Sequence, residues 1–186
     1  VLIICLTTAF GSWSAPEDLE RYIAGIADRD ESAFAKLYQA ASNSVYGFAL
    51  SIMKNTHDAE DVMQDCFLSV YHGAADYRPD GKPMAWILTI ARNLCLMKLR
   101  KAKRNADIPE EDWEPYLTSK EGLAAEDRIV LESCIGLLAE EEKEILLLHV
   151  LGGMKHREIA ELMRMPLATV LSKYHRTLKK LRAQMN

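Results

Sequence analysis

MKHREIAELMRMPLATVLSKYHRTLKKLRAQM, residues 154–185, decides the fold. Two segments with apolar residues three or four apart flank a short break at Arg164-Met165-Pro166. Pro166 suits the first turn of a new helix, where its missing N–H goes unused. Helix, three-residue turn, helix is the helix-turn-helix plan. In the second segment Val170, Tyr174, Leu178 and Leu181 share one buried face. That leaves Thr169, Ser172, Lys173, Arg176 and Lys180 opposite, joined by Arg157 from the first segment. These side chains can bond to base edges and neutralise phosphates.

Working upstream, AAEDRIVLESCIGLL (124–138) and EEEKEILLLHVL (140–151) are two further helices, the second stopped by Gly152-Gly153. Residues 123–186 thus form a small helical domain. Before them, NADIPEEDWEPYLTSKEG (105–122) has two prolines, many acids and no amphipathic period, which predicts an acidic flexible linker. Residues 16–104 again carry helical patterning. The expected architecture is all-α: two small helical domains joined by that linker. Composition agrees, since Leu, Ala, Met, Glu, Lys and Arg abound while aromatics are 8% of the 186 residues. Residues 1–15 open with ten mostly apolar residues lacking any basic residue, too short for a membrane span, and are expected outside the fold.

In the N-terminal domain, Phe34, Leu37, Tyr38, Ala41, Val45, Phe48 and Ile52 give a long helix with a wide buried stripe. The next helix begins near Thr56 and Asp58, both suited to capping. It buries Ala59, Val62, Met63, Cys66, Phe67 and Val70. Its other face aligns Asp61, Gln64, Asp65 and Leu68 at i, i+3, i+4 and i+7. That stripe has three readings: a solvated face, an acid–base pair, or a docking face for a basic partner. No His, Lys or metal ligand stands at a spacing that would tune the carboxylates for catalysis.

After the loop YRPDGKP (77–83) comes MAWILTIARNLCLMKLRKAKR (84–104), lined on one side by Trp86, Ile87, Ile90, Leu94 and Met97. It ends in five cations, Lys98, Arg100, Lys101, Lys103 and Arg104, within a chain of net charge −4. By blocks, residues 1–97 carry −5, 98–104 carry +5, 105–147 carry −10 and 148–186 carry +6. Two basic segments therefore flank an acidic middle, giving two nucleic-acid footprints that the overall pI hides. Cys5, Cys66, Cys95 and Cys134 are dispersed without a C-x-x-C pair, as expected for free thiols in a reducing cytoplasm. No metal or cofactor site is expected.

Three stretches together resemble the bacterial RNA polymerase sigma factors of the extracytoplasmic-function (ECF) class. DAEDVMQDCF (58–67) resembles the core-binding helix of region 2. WILTIARNLCLMKLRKAKR (86–104) resembles the promoter-melting helix that reads the minus-ten element. LLAEEEKEILLLHVLGGMKHREIAELMRMPLATVLSKYHRTLKKLR (137–182) is similar to region 4. The resemblance covers residues 20–185. It implies that Asp61, Gln64, Asp65 and Leu68 dock on the β′ coiled coil of core RNA polymerase, and it adds the β flap as a second polymerase contact. It gives minus-ten DNA, including the opened non-template strand, to Tyr77, Arg78, Trp86, Arg92, Asn93, Lys98, Arg100, Lys101 and Arg104. It gives double-stranded minus-thirty-five DNA to Arg157, Thr169, Ser172, Lys173, Arg176 and Lys180. A sequestering anti-sigma factor is also implied.

Four positions depart from the family pattern: Met97 replaces a common Asp, Leu171 a frequent Lys, Lys173 a frequent Arg, and Ala168 a typical Gly. Lysine lacks the two-pronged fork with which arginine reads guanine. An autonomous helix-turn-helix regulator is the alternative, and it needs only residues 123–186. An enzyme is not expected, because no nucleophile with a base and no phosphate loop is present.

Overall fold

A computed structural model describes residues 15–105 and 138–184, and among these the chain is all-α. The N-terminal half contains α1 (Pro16–Ala27), α2 (Glu31–Met53), α3 (Thr56–Gly73), a 3₁₀ turn (Ala74–Asp76) and α4 (Pro83–Asn105). The C-terminal half contains α5 (Glu140–Val150), α6 (His156–Met163) and α7 (Leu167–Gln184). The expected linker and the expected helix over 124–138 lie outside the described residues, save for Asn105 and Leu138 at their edges. So do residues 1–14 of the N-terminal extension.

Local chemistry sets the helix ends. Asp30 caps α2 by accepting the Ser32 N–H at 2.9 Å. Asn55, not Thr56 or Asp58, caps α3: its Oδ1 accepts the Asp58 N–H at 3.0 Å, so both expected caps fall inside the first turn. Pro166 stands one residue before the first turn of α7, and its carbonyl accepts from Thr169 and Val170. Between α5 and α6 both glycines are required. A Cβ on Gly152 would lie 2.6 Å from the Leu148 carbonyl oxygen, and Gly153 has φ +62°. Arg164, at φ 54°, ends α6 inside the predicted three-residue break.

In the N-terminal half Leu37, Ala41, Val45 and Phe48 of α2 are fully buried, together with Ile23 of α1 and with Phe67 and Val70 of α3. Fully burying each large side chain is worth roughly 1.5–3 kcal/mol. Tyr38 departs from the predicted stripe: it is exposed, its ring tilted over Phe67 at 4.8 Å. In α4 the buried face centres on Ile87, Leu88, Ala91 and Cys95, which turns Met97 out to solvent and leaves Trp86, Ile90 and Leu94 half-buried. Met97 stands well round the helix from that buried face, so the apolar stripe read from the sequence is rotated from the one α4 buries.

In the C-terminal half Ile145 and Leu148 of α5, Ile159 of α6 and Val170 and Leu181 of α7 close a compact core. This core and most of the N-terminal one form a single continuous apolar cluster. The two halves meet along a seam where α5 and the glycine turn lie against α2 and the start of α4.

Candidate nucleic-acid and protein interfaces

Helix α3 presents Asp61, Gln64, Asp65 and Leu68 on one exposed face, with Leu68 retaining 56% of its surface. Tyr71 continues the stripe one turn further and is also exposed. It adds apolar area to the acidic face that spacing alone did not single out. Asp61 is not free. Lys98 of α4 reaches across to Asp58 at 2.7 Å and Asp61 at 2.8 Å. The hydrogen bond from Lys98 holds the Asp61 carboxyl below the usual carboxylate range, helped by the ammonium charge. Burial pulls the Lys98 ammonium down, but the two aspartates outweigh it and the net shift is upward. Lys98 therefore braces α3 against α4 and relieves repulsion along the acidic stripe.

The loop 77–82 is held by α1. Glu20 accepts from the Tyr77 hydroxyl at 3.2 Å and from the Gly81 N–H at 2.8 Å, while Asp80 accepts the Lys82 N–H at 3.0 Å. Gly81 sits at φ +76°, as the turn requires. Burial, followed by the Glu20 charge, pushes the Tyr77 hydroxyl well above its ordinary pKa. Tyr77 and Trp86 pack with ring centroids 4.8 Å apart. Arg78 stands exposed at the start of the loop. Glu20 thus positions the expected base-contacting loop, and nothing in the sequence pointed to it, because it lies 57 residues from Tyr77.

Along α4, Asn93, Arg100, Lys101 and Lys103 are exposed. Arg92, one residue from Asn93, turns the other way: it is only 13% exposed and donates from Nε to Glu144 of α5, itself 14% exposed. Of the residues expected on minus-ten DNA, the structure brings together Tyr77, Trp86 and the loop. It pairs Arg92 and Lys98 with carboxylates. The Arg104 side chain lies outside the described residues.

In the helix-turn-helix, Ser172 and Arg176 face outward from α7, Thr169 is half-buried, and Arg157 is exposed on α6. Lys173 and Lys180 face α5 instead, pairing with Glu141 at 2.7 Å and Glu142 at 2.6 Å. Burial alone would raise the Glu142 carboxyl, but the Lys180 ammonium and the Ala139 N–H hold it below its usual range. The outward face also carries His175 and Lys179, which the sequence reading missed. A helical wheel centred on Val170 places both there, 180° from the core in the case of Lys179, at ~100° per residue.

Other reactive groups are structural. His149 and His156 stack at 4.6 Å beneath the edge of Tyr174. Burial, then the neighbouring His149 and His175, lowers the His156 pKa, so it is neutral near pH 7. Cys66 and Cys95 are buried free thiols, each pushed up to about 12 by burial. Among the described residues no group of three or more His, Cys, Asp or Glu is arranged to hold a metal ion, and no helix is long and apolar enough to cross a membrane.

Comparison with known families places both halves. Residues 37–105 match Sigma-70 region 2, and residues 128–181 match Sigma-70, region 4. The ECF RNA polymerase sigma factor SigK of Mycobacterium sp. (strain KMS) is 29% identical over 164 residues, covering 84% of each chain. This chain belongs to the ECF sigma factors. The SigK of Mycobacterium tuberculosis (strain ATCC 25618 / H37Rv) is 23% identical to this sigma factor over 172 residues, 89% of this chain and 92% of that one. Two solved structures share the fold. RpoE of Bartonella quintana, in complex with the anti-sigma factor NepR, aligns at TM-score 0.62 and 19% identity over 82% of this chain and 96% of that one. CnrH, in complex with the cytosolic domain of CnrY, aligns at 0.58 and 23% over 90% and 97%.

Proposed function

We propose that this sigma factor joins core RNA polymerase and directs promoter-specific initiation, with polymerase supplying the chemistry. The observation that carries the reading is the match to regions 2 and 4, in that order, on a body that presents an acidic stripe on α3 and outward cations on α4 and α7. Asp65, Gln64, Leu68 and Asp61 form the face for the β′ coiled coil, where complementary charge favours a basic partner. The β flap is a second polymerase contact. The loop 77–82, Trp86, Asn93 and the end of α4 take the minus-ten element and the opened non-template strand, with stacking available to unpaired bases. Ser172, Arg176 and Lys179 face the minus-thirty-five duplex.

The working division is an extension over 1–15, a region 2 domain over 16–104, a linker over 105–122 and a region 4 domain over 123–186. The protein acts in the cytoplasm, and an anti-sigma factor sequesters it, a reading supported by the likeness to RpoE, which was solved in complex with the anti-sigma factor NepR. A helix-turn-helix regulator acting alone would leave the acidic face of α3 without a purpose.

Core association tests the reading. Asp61→Lys with Asp65→Lys should weaken binding to purified core about tenfold or more while leaving helicity by circular dichroism unchanged. Undiminished co-migration with core on gel filtration contradicts the docking assignment.

A further inference from the structure

The side of α4 turned away from the core carries a mixed stripe. At ~100° per residue Trp86, Asn93, Met97 and Arg100 fall within about 60° of one another, on the side opposite the buried Ala91 and Cys95. Met97 retains 59% of its surface, and Asn93, Arg100 and Lys101 are exposed with it. Asn93 stands four residues before Met97, and Arg100 and Lys101 stand three and four after it. All three therefore border Met97 directly on the helix surface. Arg92 and Lys98 are spent on carboxylates, whereas Arg100 and Lys101 have no carboxylate partner among the described residues.

Single exposed apolar side chains are ordinary on protein surfaces. The setting of this one is not. Two unpaired cations beside it can hold a phosphate backbone in place, and an exposed amide one turn away can meet a base edge. Asn93 and Met97 lie about 6 Å apart along the axis, close enough to meet the same base or adjacent ones. The family pattern commonly has an aspartate where this chain has Met97, and a carboxylate there would repel the phosphates that Arg100 and Lys101 attract. The thioether removes that repulsion and adds a flexible, polarisable apolar tip.

The chemistry of the tip narrows what it can recognise. A thioether donates no hydrogen bond and accepts only weakly, so it cannot tell bases apart by their polar edges. Its contribution has to come from taking apolar surface out of water. Among the four bases only thymine carries an apolar group on its edge, the 5-methyl.

We propose that Met97 is a specificity-determining residue for the minus-ten element, covering the 5-methyl group of one thymine beside the base met by Asn93. The inference rests on the promoter-binding reading above and adds to it a base and a contacting atom group.

The test uses holoenzyme assembled from core polymerase and the full chain, on a promoter chosen by run-off from a library. Each minus-ten thymine of the non-template strand is replaced in turn by deoxyuridine, which removes the methyl and nothing else. With the parent, one replacement should lower open-complex formation about two- to fourfold, the scale of one buried methyl. Met97→Ala should make thymine and uracil equivalent at that position. Met97→Leu, which keeps the apolar bulk, should restore the preference. Neither variant should change helicity, core binding or the response to minus-thirty-five substitutions, because the side chain is exposed and lies outside those surfaces.

A parent indifferent to every thymine replacement overturns the proposal. So does a Met97→Ala protein that keeps the parent's ratio of thymine to uracil, or one that loses activity equally on all templates. A parent that drives no promoter-dependent run-off at all sinks the promoter-binding reading and this inference with it. An active parent blind to the methyl sinks only the inference.

Discussion

Lys98 and Asn93 stand five residues apart on α4, yet they have different work. Lys98 is spent bracing Asp58 and Asp61, whereas Asn93 is exposed and free to meet a base. Asn93→Ala should therefore shift preference among minus-ten variants by about 1–3 kcal/mol at the base it contacts, with little change in salt dependence. Open-complex formation on matched promoters at several salt concentrations measures this. Equal loss on every promoter means the side chain reads nothing. The sequence showed where the cations stand along α4 and α7, but it did not reveal which of them are already matched. Arg92, Lys98, Lys173 and Lys180 find their carboxylates 52, 37, 32 and 38 positions away, distances at which spacing along one helix carries no information.

At the scale of the element, α7 shows how a correct helix can carry a misjudged face. The buried residues Val170, Thr177 and Leu181 fix its rotation, and α5 then draws Lys173 and Lys180 inward to Glu141 and Glu142. Arg176→Ala and Lys179→Ala should each reduce the slope of log affinity against log salt by about 0.9 for minus-thirty-five DNA, if each neutralises one phosphate. Lys173→Ala should change that slope less and instead lower thermal stability, by loosening α7 from α5. Equal slope changes for all three would show that Lys173 leaves Glu141 to reach DNA.

The helices themselves were legible because their apolar periods are long and their breakers strong, as with Gly152-Gly153 and the Arg164–Pro166 break. Their ends and exact rotation depended on neighbours. Asn55 outcompetes Thr56 as cap because its side chain reaches the Asp58 N–H, and the buried face of α4 centres on Leu88, Ala91 and Cys95 because α2 and α3 meet it there.

For the whole molecule, two helical halves around an acidic middle could be read from charge blocks and composition, but their docking could not. It depends on pairs such as Lys82–Glu158, 76 residues apart, and on the Gly152 turn lying against Ala85 at the start of α4. The docking has a pH signature. The Lys82 hydrogen bond, with the Lys155 N–H and both lysine charges, holds the Glu158 carboxyl below its ordinary value of 4.5. A carboxyl depressed in this way stabilises the docking of the two halves above that value, and the contribution is lost as pH falls through the depressed one. Docking of the halves, followed by scattering or by a distance probe across the seam, should therefore weaken below pH 4.5 and be flat from there to neutrality as far as Glu158 is concerned. Lys82→Met should remove most of the shift while leaving the cap at Lys155. An acid limb unchanged by Lys82→Met would place its origin elsewhere.

The most direct measurement of the central claim is run-off transcription by purified core RNA polymerase on a promoter library, with and without this protein. The account predicts transcripts from a subset of promoters sharing minus-ten and minus-thirty-five sequences, only when the protein is added, and their loss with Asp61→Lys/Asp65→Lys. Transcription indifferent to the protein, or stimulated equally on every template, contradicts it.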